Sequence, residues 1–209
     1  MTPVRTIIIA KEPRPGFAKT RLIPALGAEG AAQLADRLLR HTLDQALAAA
    51  TGPVELCVAP NAHAPYWQAL VGAEPVVLSQ QSEGDLGQRM ATAAQQGLAQ
   101  GTPVMLIGTD CPALDAGRLN AMAALLANYD ACLCPVMDGG YSLLGLQRLD
   151  ASLFQDMPWS TDRVAALTRQ RLESLGWSWQ ESESLADVDV PADLSHLEQK
   201  HPQLAGSDS

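Results

Sequence analysis

The sequence predicts a three-layer α/β protein with a mixed, mostly parallel sheet. Two observations point there. Short apolar or β-branched runs alternate along the chain with longer stretches of helical periodicity, the order that builds parallel strands joined by crossover helices. Near the end of that series an Asp138-Gly139 pair separates two strand-like runs and marks a hairpin, so one strand, Tyr141 to Leu146, is expected to return antiparallel.

The chain has 209 residues, 47% hydrophobic and 18% charged, as expected for an ordinary globular protein. Its length fits one domain, placed at residues 1–200, with a disordered tail at 201–209. The 14 Lys and Arg against 23 Asp and Glu leave a net charge of −9. That balance argues against a nucleic-acid or membrane-surface binder but permits a locally basic pocket. No apolar run is long enough to span a bilayer. Lys11 and Glu12 interrupt the first apolar run at once, so it does not read as a signal peptide and a cytoplasmic protein is expected. The four cysteines read as buried free thiols rather than a disulfide scaffold.

The first strand is expected at Val4 to Ala10 and runs into a loop ending at Leu22. Within twelve positions the loop carries Lys11, Arg14, Lys19 and Arg21, with Gly16 after Pro13 and Pro15. A solvated basic loop is the plain reading. On an acidic chain, at a strand end, a phosphate cradle is the better one. A helix is expected over Ala28 to Ala50, with Leu34, Leu38, Leu39, Leu43 and Leu47 as its apolar stripe. Strands at Val54 to Ala59 and Pro75 to Leu78 flank a short helix over Tyr66 to Val71. Gly84 and Gly87 open the next helix, where small residues permit close approach by a ring or a phosphate. Asp85 there reads either as helix-end acid or ligand contact, and Arg89 as surface or site.

The central strand is expected at Val104 to Gly108, followed by Thr109, Asp110 and the ladder-breaking Pro112. Asp110 therefore stands at the carboxyl end of a strand, where open α/β sheets bind ligands. It reads either as a turn former or as an oxygen ligand for Mg²⁺ or Mn²⁺. Asp115 is expected to cap a helix running to Asn128. A strand at Ala131 to Val136 then precedes the hairpin, whose Asp138 and Tyr141 face the region beyond the strand ends. Trp159 reads as core or as a platform for a ring, and Ser160 or Thr161 as the cap of a helix over Asp162 to Leu175. Trp177 and Trp179 should pack on the sheet, and Asp187 or Asp189, in an acidic turn, could complete an oxygen site with Asp110.

Six segments in order resemble a known group: K-x-P-x-P-G-x-x-K-T-R-L from Lys11, G-D-L-G-x-R-M from Gly84, G-T-D-C-P from Gly108, D-G-G-Y from Asp138, P-W-S-T from Pro158 and D-V-D-x-P-x-D-L from Asp187. Together they are similar to the nucleotide-diphospho-sugar transferases of the selenodomain-associated, or arsenosugar-biosynthesis, type. The resemblance implies a Rossmann-like GT-A fold shared with cofactor guanylyltransferases. It implies nucleotide contacts at Lys11, Gly16, Lys19 and Arg21 and at Gly84, Asp85, Gly87 and Arg89. It places a divalent metal on Asp110 with Asp189, Asp187 being the reserve. The sugar or acceptor side corresponds to Asp138, Gly139, Gly140 and Tyr141, with Trp159, Ser160 and Thr161 beside them. Two departures stand out: one carboxylate replaces the D-x-D usual on the metal strand, and the first loop lacks the glycine-rich form of nucleotidyltransferases.

The expected activity is transfer of a sugar from a nucleotide sugar to a small-molecule acceptor with Mg²⁺ or Mn²⁺, assisted by Lys19, with Asp138 as a base. The alternatives are a nucleotidylyltransferase releasing pyrophosphate and a nucleotide-binding domain without chemistry. Base, sugar, acceptor and oligomeric state are left open by the sequence.

Overall fold

The alternating pattern folds into a seven-stranded sheet covered by helices on both faces. The computed structural model describes residues 2–206. In chain order the elements are β1 (Arg5–Lys11), α1 (Ile23–Ala49), β2 (Val54–Ala59), α2 (Pro65–Val71), β3 (Val76–Gln80), α3 (Leu86–Leu98) and β4 (Val104–Ile107). There follow α4 (Ala116–Leu125), β5 (Ala131–Pro135), β6 (Tyr141–Leu146), α5 (Val164–Ser174), β7 (Trp179–Glu181), α6 (Leu194–Lys200) and α7 (Pro202–Ala205). No helix among the described residues is long and apolar enough to cross a membrane.

The strand order is β3-β2-β1-β4-β6-β5-β7. Only β6 runs antiparallel to its neighbours, as its Asp-Gly turn requires. Each central strand alternates its side chains between two cores. Ile8, Met105, Ile107, Cys132 and Cys134 pack under α1, α2 and α4, while Ile7, Val104, Leu106, Ala131 and Leu133 pack under α3 and α5. Two covered faces explain why these strands read as continuous apolar runs. Trp177 and Trp179 lie against the second core, and all four cysteines are buried free thiols.

Three local expectations are corrected. The long helix begins at Ile23 rather than Ala28, because Gly27, at φ 70° and ψ 170°, joins two helical pieces across a kink. Neither Ser160 nor Thr161 caps α5. The cap position is Arg163, without a side-chain bond, while Thr161 donates its hydroxyl to the Pro158 carbonyl at 2.7 Å. The tail expected to be disordered from 201 is ordered as far as 206. α7 buries Leu204 against Leu34 and Leu38, and Arg37 donates to the carbonyls of Leu204 and Ala205 at 2.7 and 3.3 Å. The rest of that expectation, 207–209, lies outside the described residues. Asp115 does cap α4, accepting from the Arg118 N–H at 2.8 Å.

Candidate active site

The chain leaves β3 at one side of the sheet and enters β4 on the other side of β1. That reversal opens a crevice beyond the carboxyl ends of β1 and β4, the position at which open α/β sheets take ligands. A cleft of about 630 Å³ lies there, within the size range of small-molecule sites.

Lys19 organises one end of it. The residue has left-handed backbone angles, φ 49° and ψ 41°, which aim its side chain inward from the basic loop. Its ammonium lies 2.5 Å from Asp110 Oδ1 and 3.0 Å from Asp189 Oδ1, and it also donates to the Val188 carbonyl. Three donors thus meet three acceptors. The side chain is only 7% exposed. Burial alone would drive the ammonium down, yet the Asp110 and Asp189 charges outweigh it and hold its pKa above the ordinary value. Arg21 approaches the other Asp189 oxygen, at 3.5 Å, from the solvent side.

Beside this pair stand three carboxylates, Asp138, Asp187 and Asp189, each offering an oxygen within 4.8 Å of the others. Burial first, then the Asp138 charge, pushes the Asp187 carboxyl up to about 6. Three hard oxygen donors so close together could hold Mg²⁺ or Mn²⁺. The expected pair, Asp110 and Asp189, meets across the Lys19 ammonium, and Asp138, expected on the acceptor side, stands with the two residues of the C-terminal turn. Asp138 Oδ1 also accepts from the Gly140 N–H at 2.8 Å, which fixes the carboxylate above the hairpin.

Of the remaining expected residues, Lys11, Arg89, Gly140, Tyr141, Trp159, Ser160 and Thr161 line the cleft. The Tyr141 hydroxyl and the Trp159 indole N–H are enclosed and have no hydrogen-bond partner among the described residues. Gly16, Gly84, Asp85, Gly87 and Gly139 do not line it. Asp85 forms a capping box with Gln88 at the start of α3. Gly87 is a packing position, since a Cβ there would lie 2.6 Å from the Phe154 carbonyl and 2.9 Å from the Trp159 indole nitrogen. Gly139, at φ 90°, would drive a Cβ to 2.2 Å from the Asp162 carbonyl.

Gln81 is a cleft residue that the sequence did not single out. It follows β3 directly and is buried. Its only signal was position, a polar side chain just past a strand end. Gln80 beside it points elsewhere and ties down the loop at Pro60 and Ala62.

The family described as "uncharacterized protein conserved in bacteria (DUF2064)" matches residues 42–161. No curated protein matches by sequence. Among solved structures, a candidate nucleotide-diphospho-sugar transferase from Desulfovibrio desulfuricans superposes with a TM-score of 0.87 at 26% identity, covering 100% of this chain and 92% of that one. A cytidylyltransferase from Leptospira borgpetersenii gives 0.59 at 14% identity, covering 100% and 99%. A manganese complex of Rv0371C from Mycobacterium tuberculosis gives 0.54 at 16% identity, covering 95% and 100%. The last two likenesses establish the fold and no more.

Proposed function

We propose, for a chain that belongs to the DUF2064 family of bacterial proteins, a nucleotide-sugar-dependent glycosyltransferase that passes a sugar to a small-molecule acceptor. The observation that carries this reading is the junction of Lys19 and Arg21 with Asp138, Asp187 and Asp189 at the switch point of the sheet. Fixed positive charge beside a divalent-cation site is what a diphosphate leaving group needs. The likeness to a candidate nucleotide-diphospho-sugar transferase supports the same substrate class.

Asp138, Asp187 and Asp189 would hold Mg²⁺ or Mn²⁺, which when bound supplies Lewis-acid stabilisation of the diphosphate. Arg21, half in solvent, is free to meet a phosphate oxygen. Lys19, with all its donors engaged, acts here as the counter-ion that fixes Asp110 and Asp189. Asp138 sits with the cation ligands, so its role moves from base to ligand. Trp159 and Tyr141, which line the same cleft, would supply ring surface to the sugar and acceptor side.

The test is what leaves. Nucleotide sugars and nucleoside triphosphates, each incubated with protein, Mn²⁺ and candidate acceptors, are assayed in parallel for nucleoside diphosphate and for pyrophosphate. Nucleoside diphosphate released from a sugar donor is expected. Pyrophosphate from a triphosphate with a phosphorylated metabolite, and none of the expected product, would replace this reading with nucleotidyl transfer.

A further inference from the structure

We infer that Gln81 reads the nucleobase and selects one with a ring N–H on its pairing edge (the imide of uracil or thymine, the lactam of guanine) over cytosine and adenine. The inference rests on the nucleotide-binding reading above and adds to it the class of base. The backbone N–H of Gln81 donates to the Val58 carbonyl at 2.9 Å, which anchors the residue where β3 leaves the sheet. Its side chain reaches back across the sheet top, and Nε2 donates to the carbonyls of Ala10 at 2.8 Å and Cys57 at 3.0 Å. Both partners are carbonyl oxygens. That fixes which end of the amide is nitrogen and uses both its hydrogens.

Oε1 is left over. It has no hydrogen-bond partner among the described residues, and it is absent from the enclosed, unpartnered atoms. Gln81 is 7% exposed and borders the cleft. The exposed remainder is therefore an acceptor, held rigidly and open to the cleft. An acceptor whose amide cannot flip rewards a ligand N–H and penalises a lone pair. A ring imide or lactam presents such an N–H at the centre of its pairing edge. Cytosine and adenine present a ring-nitrogen lone pair at that position, and their exocyclic amine reaches the oxygen only if the base shifts along its edge. Apolar surroundings favour a base over a hydroxylated sugar here: Ile9, Ala10, Leu86 and Met90 line the same cleft, with Lys11 and Arg89 beside them in the chain.

The experiment is calorimetric titration of the full chain with Mn²⁺ and each of UDP, GDP, CDP, ADP and UDP methylated on its ring imide. The same series is run on Gln81→Met, with melting curves to confirm folding. We expect UDP or GDP to bind about tenfold tighter than CDP and ADP, or better, because a site built around a hydrogen bond rejects analogues that lack it. If UDP is preferred, methylation should remove the margin with the protein unaltered; if GDP is, the ring-methylated GDP takes that place. Gln81→Met should level the nucleotides to within about threefold. CDP or ADP binding as tightly as UDP or GDP, an unaffected methylated ligand, or discrimination that survives in Gln81→Met would overturn the inference. In each of those cases the diphosphates still bind, and the proposed function stands. Absence of binding by every nucleotide would overturn both.

Discussion

The two ends of the cleft are built from the same device with opposite outcomes. At each, a nearly buried polar side chain hands all its donors to the protein. Lys19 gives its three to Asp110, Asp189 and the Val188 carbonyl, and Gln81 gives its two to backbone carbonyls of β1 and β2. Lys19 keeps nothing in reserve, and its partners are charged and shared with a cation site. Gln81 keeps one neutral acceptor. A buried charge ties its surroundings together electrostatically, so any change there spreads to Asp110, Asp189 and the trio. A buried amide with neutral partners can present one group to a ligand without coupling to the rest.

The sharpest break in that comparison is Lys19→Met. The side chain is of similar length but leaves Asp110 without its counter-ion and Asp189 with only the longer Arg21 contact. Breaking a fully buried pair costs about 3–5 kcal/mol, and because both carboxylates still reach water the expected loss is nearer 2 kcal/mol. Urea unfolding should show a lower midpoint at unchanged slope, with part of the loss recovered by high salt. An unchanged midpoint would mean that Lys19 does not hold the charged end together.

A smaller effect tests the trio by pH. The Asp187 carboxyl has its folded pKa raised from 3.8 to about 6. Between those values the folded state binds more protons than the unfolded chain, so the stability associated with the group is full below the lower value and is lost as pH rises through about 6. Asp187→Asn should therefore stabilise the metal-free protein near neutral pH and leave it unchanged in acid. About half of the group's surroundings are solvent-screened, which limits the gain to about 1 kcal/mol. With Mn²⁺ present the sign should reverse, since only the native residue gains from the cation. Parallel pH–stability curves for the two proteins without metal would sink the assignment.

Turn and strand-end signals were legible in the residues themselves, and the family resemblance implied that Asp110 meets Asp189, but the ammonium that joins them was not legible. The direction of β6 was legible because Asp138-Gly139 writes a turn that needs no distant partner. Asp110 was legible as a strand-end residue because Pro112 bounds the strand from nearby. Its partner was not. Lys19 comes from the loop after β1, and the Val188 N–H, bonded to the Asp110 carbonyl at 2.8 Å, brings Asp189 of the C-terminal turn to the same ammonium. The bridge between Val136 and Leu185 likewise brings Asp138 to Asp187. Gln81 was hidden for another reason. It stands next to an identical residue, and only strand alternation, fixed by where β3 ends, sends one to the loop and the other to the cleft.

The smallest expected effect separates holding the fold from holding a ligand within the charged end itself. Arg21 approaches the same carboxylate as Lys19, but at 3.5 Å and with its side chain 54% exposed. An ion pair so long and so wet contributes little, so Arg21→Ala should change stability by no more than about 0.5 kcal/mol. Its guanidinium borders the cleft and has no second carboxylate partner among the described residues. It is therefore the cation most available to a phosphate oxygen, and its loss should weaken nucleoside diphosphate binding by about three- to tenfold. The loss should grow at low ionic strength, where exposed charges are least screened. The parent nucleoside, which carries no phosphate, should bind both proteins alike. Titrations of diphosphate and nucleoside at two salt concentrations read all three expectations together. Equal losses for both ligands would place Arg21 with Lys19 as a structural counter-ion and leave the phosphate to Lys11 and Arg89, the other cations that line the cleft.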